Sequence, residues 1–219
     1  MSDSTSKPLF AAPEADFPPT EAVALPLVAE LPPVDAVPTD AQCRLLWDAY
    51  GMLPNIRAHS ELVACLATAL AELARAAGLA VDVTAVRAAA LLHDLAKTYT
   101  IRHGGNHCQL GAAWVQEITG NPALAQGVLC HVHWPREIDL AVDFLPLALI
   151  YSDKRVKHNQ IVTLEARFED LLVRYGTTEY IRGRIRESFQ QAEAIERALA
   201  ATLGIDIHEN TFGCGRLVE

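Results

Sequence analysis

Between residue 40 and about residue 203 the chain is punctuated as a run of helices, and that punctuation leaves it few folds. Glycines at 78, 120, 176 and 204 stand where helices should stop, and Asp82 and Asn121-Pro122 stand where they should start. The pattern predicts helices near 40–51, 56–77, 83–97, 107–119, 122–132, 144–157, 162–175 and 178–203. No strand alternation of useful length appears, and no internal repeat. The expected fold class is therefore all-α. In the last segment Ile181, Ile185, Phe189, Ala192, Ile195, Leu199 and Leu203 recur at three- and four-residue spacing, which marks a packed face. Packing on the chain's own core is the simpler account of that stripe, and a homodimer seam is the other.

The chemistry concentrates in Leu91-Leu92-His93-Asp94-Leu95-Ala96-Lys97, where a histidine and an aspartate sit side by side near the end of an apolar helical stretch. Polar groups placed there need a partner to offset their desolvation. Imidazole and carboxylate are also the side chains that Fe, Mn, Co, Ni and Zn sites use. Alone, the dipeptide reads better as a core histidine beside an Asp94–Lys97 ion pair at i+3. Its company changes that weighing. His59 opens one long apolar helix, Asp153 follows the apolar run from Leu147, and His107 and His131 lie between them in sequence.

Other features narrow the setting. Eight of the 12 prolines fall within residues 1–38, which predicts an extended or disordered lead-in, followed by a helical domain over 39–204 and a short tail over 205–219. The net charge of −9 argues against a nucleic-acid duplex as partner, while leaving room for a small anionic substrate in a locally positive cleft. The longest apolar stretches fall short of the ~18 residues a membrane span requires. The five cysteines are odd in number and scattered, without a Cys-x-x-Cys pair, and read as reduced thiols in a cytoplasmic protein.

The order His59, His93-Asp94, Asp153 resembles the His … His-Asp … Asp signature of the HD-domain metal-dependent phosphohydrolases. The local contexts Arg57-Ala58-His59-Ser60, Leu-Leu-His-Asp-Leu-Ala-Lys and Tyr151-Ser152-Asp153-Lys154 carry the resemblance, which spans about residues 55–160. It implies an HD-type helical bundle in which His59, His93, Asp94 and Asp153 surround a divalent metal ion. His107 and His131 match additional histidines that hold a second metal or contact phosphate in several branches. His133 competes with His131, which sits at the more usual spacing.

The activity implied is hydrolysis of a nucleotide or related phosphate ester or anhydride, with Asp94 and Lys97 as catalytic residues. Lys97 would place its ammonium beside the phosphate, or serve only as the partner of Asp94. Lys154, Arg102 and His103 are weaker candidates for phosphate contact, and Trp134 for stacking on a base. Among branches the chain looks most similar to small bacterial symmetrical dinucleoside-tetraphosphate hydrolases, which share the Tyr-x-Asp-Lys ending and the His-x-x-x-Gly-Ala middle. It departs from them in a shorter stretch before His107 and in Trp134-Pro135. A non-catalytic metal-binding regulatory module and a di-iron oxygenase are the two alternatives.

Overall fold

The computed structural model describes residue 31 and residues 33–218, so most of the proline-rich lead-in expected over 1–38 lies outside the described residues. Helix α1 (Asp40–Ala49) begins where Thr39 and Gln42 form a reciprocal capping box. Helix α2 (Pro54–Ala76) has proline in its first position, where the missing N–H costs nothing. Asp82 caps α3 (Val83–Leu92) by accepting from the Thr84 and Ala85 amides. The chain continues through α4 (Lys97–His103), α5 (His107–Thr119), α6 (Pro122–Cys130) and α7 (Phe144–Lys154). A two-stranded antiparallel hairpin follows, β1 (Val156–Lys157) and β2 (Gln160–Ile161), and then α8 (Leu164–Tyr175) and α9 (Glu179–Leu203).

Helix α3 is the centre of the bundle. Seven of its ten residues are buried, from Ala85 to Leu92, and its neighbours are α1, α2, α6 and α7. A helix buried over most of its surface needs such company. Alanine makes the company close: Ala64, Ala67, Ala71 and Ala74 on α2 and Ala85, Ala88, Ala89 and Ala90 on α3 are all buried. At Gly127 of α6 a Cβ would come 2.5 Å from the end of the Leu145 side chain and 3.5 Å from Ala89, so a larger residue there requires Leu145 to move. The indole of Trp47 donates to the Leu91 carbonyl at 2.9 Å and ties α1 to the end of α3.

The helix boundaries depart from expectation at two informative places. The helix expected over 83–97 stops at Leu92, and residues 93–96 form tight turns before α4 begins. The helix expected over 144–157 ends at Lys154, and the hairpin after it was not legible as strand alternation because each strand is two residues long. The expected stripe on α9 packs inward: Ile185, Ala192, Ile195 and Leu199 are buried, and Ile181, Phe189 and Leu203 lie against the same core.

The tail folds back on the domain. The buried Arg155 guanidinium donates to the carbonyls of Val162 (2.6 Å), Ile207 (2.8 Å) and Asn210 (3.3 Å). Further on, the Val218 amide donates to the Ile161 carbonyl at 2.8 Å. Cys214 forms a disulfide with Cys65 of α2, with Cα atoms 5.8 Å apart, so the reading of all five cysteines as reduced thiols is wrong for these two. The pair lies 149 residues apart in sequence, and only the return of the tail brings it together. The thiol argument for a reducing compartment is weakened to that extent. No helix among the described residues is long and apolar enough to cross a membrane.

Candidate metal centre

Six side chains singled out from the sequence meet at one end of the α3 core, most of them placed where an element begins or ends. His93 and His131 are the C-cap residues of α3 and α6. In both, ring Nδ1 lies 2.7 Å from the carbonyl three residues back, Ala90 for His93 and Val128 for His131. Those carbonyls are among the helix-terminal acceptors that otherwise lack partners. Once Nδ1–H donates to them, Nε2 is left as the lone-pair nitrogen and turns away from the helix end. The same side-chain bond accounts for the early stop at Leu92, because it engages the carbonyl that a continuing helix would use.

His59 lies in the second turn of α2, its Nδ1 3.2 Å from the carbonyl of His158. His158 turns the hairpin with φ +57°, a left-handed conformation uncommon for a residue other than glycine. The overlooked hairpin thus orients a residue of the cluster. His107 is the first residue of α5, behind the N-cap Asn106, and Asp153 is in the last turn of α7. Asp94 sits in the turn between α3 and α4.

The nitrogens and oxygens converge in two overlapping groups. In the first, His59 Nε2 is 2.9 Å and His93 Nε2 is 3.7 Å from Asp153 Oδ1, and His93 Nε2 is 3.3 Å from Asp94 Oδ2. In the second, Asp94 Oδ1 is 3.5 Å from His107 Nε2 and 3.6 Å from His131 Nε2, and those two nitrogens are 3.2 Å apart. Asp94 belongs to both groups and presents one oxygen to each. Two ammonium groups back the carboxylates: Lys97 Nζ is 2.6 Å from Asp94 Oδ2, and Lys154 Nζ is 2.7 Å from Asp153 Oδ2. Side-chain exposure separates them, at 38% for Lys97 and 8% for Lys154, so Lys97 is the cation that faces outward.

Metal ligation needs neutral imidazole and ionised carboxylate, and the electrostatics favour those states for three of the four histidines and both aspartates. Burial holds the pKa of His59 below the ordinary imidazole value against the pull of Asp153, lowers His107 to about 4, and with the neighbouring His93 and His107 lowers His131 well below its usual range. Burial also opposes the charged form of Asp94 and Asp153. Lys97 and His93 beside Asp94, and Lys154 with the His59 hydrogen bond beside Asp153, outweigh it and hold both well below the carboxylate range. His93 is raised instead, because Asp94 and Asp153 outweigh its desolvation.

This arrangement fits a divalent ion. His93 Nε2 and Asp94 Oδ1 are buried and have no hydrogen-bond partner among the described residues. Leaving such groups unpaired costs about 1–3 kcal/mol each, and a cation supplies the missing partner. Two sets of donor atoms, from His59, His93 and Asp153 and from His93, Asp94 and His131, each lie within 4.8 Å of one another.

The weaker candidates divide. Lys154 joins the cluster. Arg102 and His103 lie exposed on α4, His103 against the Tyr99 ring at 4.5 Å between centroids. His133 is exposed whereas His131 is 2% exposed, which separates the two. Trp134 is buried to 1%, its indole donating to the Glu137 carbonyl and its backbone held by Gln191. It is a core residue, so the expectation that it stacks on a base is corrected. The residue overlooked is Cys108, read as an ordinary thiol. Its Sγ is 3.6 Å from His107 Nε2 and 3.9 Å from His131 Nε2. Burial pushes its thiol up to about 12. Adjacency to His107 was the one signal available for it.

The family model for the HD domain matches residues 56–168, more than half of the chain, and the chain belongs to the HD-domain family. No curated protein and no solved structure gives a significant match. The all-α fold agrees with this membership.

Proposed function

We propose that the protein is a metal-dependent phosphohydrolase acting on a nucleotide or related phosphate ester or anhydride. The observation that carries the reading is the state of Asp94: one oxygen is neutralised by Lys97, and the other is buried, without a hydrogen-bond partner, and faced by His107 and His131. His59, His93, Asp94 and Asp153 would hold one divalent ion, and His107 and His131, with Asp94, a second. Such ions lower the pKa of bound water and polarise a phosphoryl oxygen.

The chain's own groups do the rest. Burial holds His59, His107 and His131 toward the neutral form and the lysines hold Asp94 and Asp153 ionised, whereas His93, drawn toward the protonated form by those carboxylates, would give up its proton to an ion. Lys97 occupies the outward edge of the cluster, where its ammonium meets an incoming phosphate and stabilises the charge that develops there. Its pairing with Asp94 is compatible with that role and fixes its position. Lys154, buried behind Asp153, offsets carboxylate charge and keeps that side chain in register. The symmetrical dinucleoside-tetraphosphate hydrolases are the substrate branch suggested by the Tyr-x-Asp-Lys and His-x-x-x-Gly-Ala contexts.

The test is phosphate release from a nucleotide panel including dinucleoside polyphosphates. Metal-stripped protein would be reloaded separately with Fe, Mn, Co, Ni or Zn. Metal-dependent turnover is expected with at least one substrate, and Asp94→Ala should lower it by about 10³-fold or more, the scale of losing an electrostatic group at a reacting centre. Stoichiometric metal binding with no turnover under any loading would sink the hydrolase in favour of the regulatory module. The convergence of all six candidate ligands also satisfies the geometric demand of the di-iron oxygenase, and oxygen consumption by the iron-loaded protein in place of phosphate release would establish that reading.

A further inference from the structure

The metal reading of the cluster accounts for six side chains and leaves one unexplained. Cys108, second residue of α5 and 7% exposed, directs its sulfur into the group formed by His107, His131 and Asp94 Oδ1. Nothing in the fold requires a thiol there. Among the described residues its sulfur makes no hydrogen bond to a carbonyl, unlike Cys43, whose Sγ lies 4.0 Å from the Pro38 carbonyl.

The spacing of these donors is informative. Ligands at ordinary bond lengths around a single tetrahedral ion, about 2.0–2.1 Å for nitrogen or oxygen and about 2.3 Å for sulfur, stand roughly 3.3–3.6 Å from one another. The nitrogen–nitrogen separation here is 3.2 Å, the nitrogen–oxygen separations are 3.5 and 3.6 Å, and the sulfur–nitrogen separations are 3.6 and 3.9 Å. His107, Cys108 and His131 offer donor atoms that all lie within 4.8 Å of one another. The second independent feature is Asp94 Oδ1, fully buried and without a hydrogen-bond partner, aimed into the same space.

We propose that Cys108 is a sulfur ligand of the second metal position, which thereby becomes a His107–Cys108–His131–Asp94 site of two nitrogens, one sulfur and one oxygen. The proposal rests on the metal reading of the cluster and deepens it, without depending on which reaction the protein catalyses. On binding, Sγ forms a bond to the ion and its proton passes to solvent, since a coordinating thiol is deprotonated. The consequence is selectivity between two neighbouring positions. A soft thiolate favours Zn, Co or Fe(II) over Mg or Mn, whereas the position formed by His59, His93, Asp94 and Asp153 has only nitrogen and oxygen donors. The two positions would therefore hold different ions when both kinds are offered.

The experiment is titration of the metal-stripped full chain with Co(II), read by absorption. Wild-type protein is expected to develop an intense near-ultraviolet sulfur-to-cobalt charge-transfer band as cobalt is taken up. Cys108→Ser should lose that band and bind one of its two cobalt equivalents at least tenfold more weakly, about the scale on which even outer-shell partners act. Its helicity and remaining cobalt equivalent should persist. Cys130→Ser, which alters the neighbouring free thiol, should keep the band. Zinc X-ray absorption on wild-type protein supplies a measurement that needs no variant, with a sulfur shell expected at about 2.3 Å.

Two bound cobalt ions with no charge-transfer band, a band that survives Cys108→Ser, or a zinc shell of nitrogen and oxygen alone would each overturn the sulfur ligand. Those results leave the hydrolase reading standing. Absence of phosphate release in a protein that shows the band overturns the hydrolase and leaves the ligand standing. Failure to take up any cobalt or zinc overturns both.

Discussion

A histidine that ends a helix can do two jobs with one ring, and this protein uses the device twice. In His93 and His131 the nitrogen near the backbone satisfies a carbonyl of the last helical turn, and the far nitrogen is thereby aimed away from the helix end. The residue scale therefore separates His131 from its neighbour. His131→Ala should lose roughly one metal equivalent of two, or weaken it by at least about tenfold, while His133→Ala should leave metal content unchanged because that side chain is exposed. Metal content of the purified, reloaded variants by mass spectrometry checks this. Equal losses in both, or none in either, would count against placing His131 in the centre.

At the scale of elements, the centre depends on where helices begin and end more than on their faces. Asp94 faces both groups because α3 yields to turns at residues 93–96, where a continuing helix would have splayed it about 100° from His93. The start of α1 is tied to α3 by a two-point ion pair, Asp40 to Arg87 at 2.7 and 2.6 Å. The Arg87 hydrogen bonds hold the Asp40 carboxyl below its ordinary value. A depressed carboxylate pKa means that the pair's contribution is present above the unfolded value of about 3.9 and fades as pH falls through the lower folded value. Asp40→Asn should therefore cost about 0.5–1 kcal/mol near pH 7, small because the side chain is partly exposed. The difference from wild type should shrink below about pH 4, as urea denaturation at the two pH values would show. A deficit that grew on acidification would contradict the assignment.

Over the whole molecule, residues 205–218 act as a strap. Arg155, Ile161 and Cys65 each anchor a different part of the tail, and Ile161 belongs to the hairpin whose turn supplies the carbonyl beside His59. The disulfide closes a loop of 149 residues, and constraining so long a loop in the unfolded chain stabilises the native state by about 2–4 kcal/mol. Cys214→Ser is expected to lower Tm by roughly 5–15 °C, and reductant should lower the wild-type Tm to the same level. Identical Tm values with and without reductant would remove the strap from the stability of the domain.

Helix identity and approximate extent were legible in the sequence because capping residues, stop glycines and apolar periodicity act over a few neighbours. Asp82, Asn121 and Gly204 function where the pattern places them. The ordered set of histidines and aspartates was legible too, since His59, His93, Asp94 and Asp153 stand in the order and local contexts that carry the resemblance to the HD signature. Tertiary structure alone decided the rest. The hairpin at 156–161 has too few residues to leave a periodic trace, and Cys65 finds Cys214 only after the tail has returned. Trp134 goes to the core because Gln191 and Glu137 hold it there. The Cys108 sulfur comes within 3.9 Å of His131 because α5 begins beside the end of α6. Each of these outcomes depends on groups distant in sequence coming within a few ångströms, and spacing along the chain carries no record of that distance.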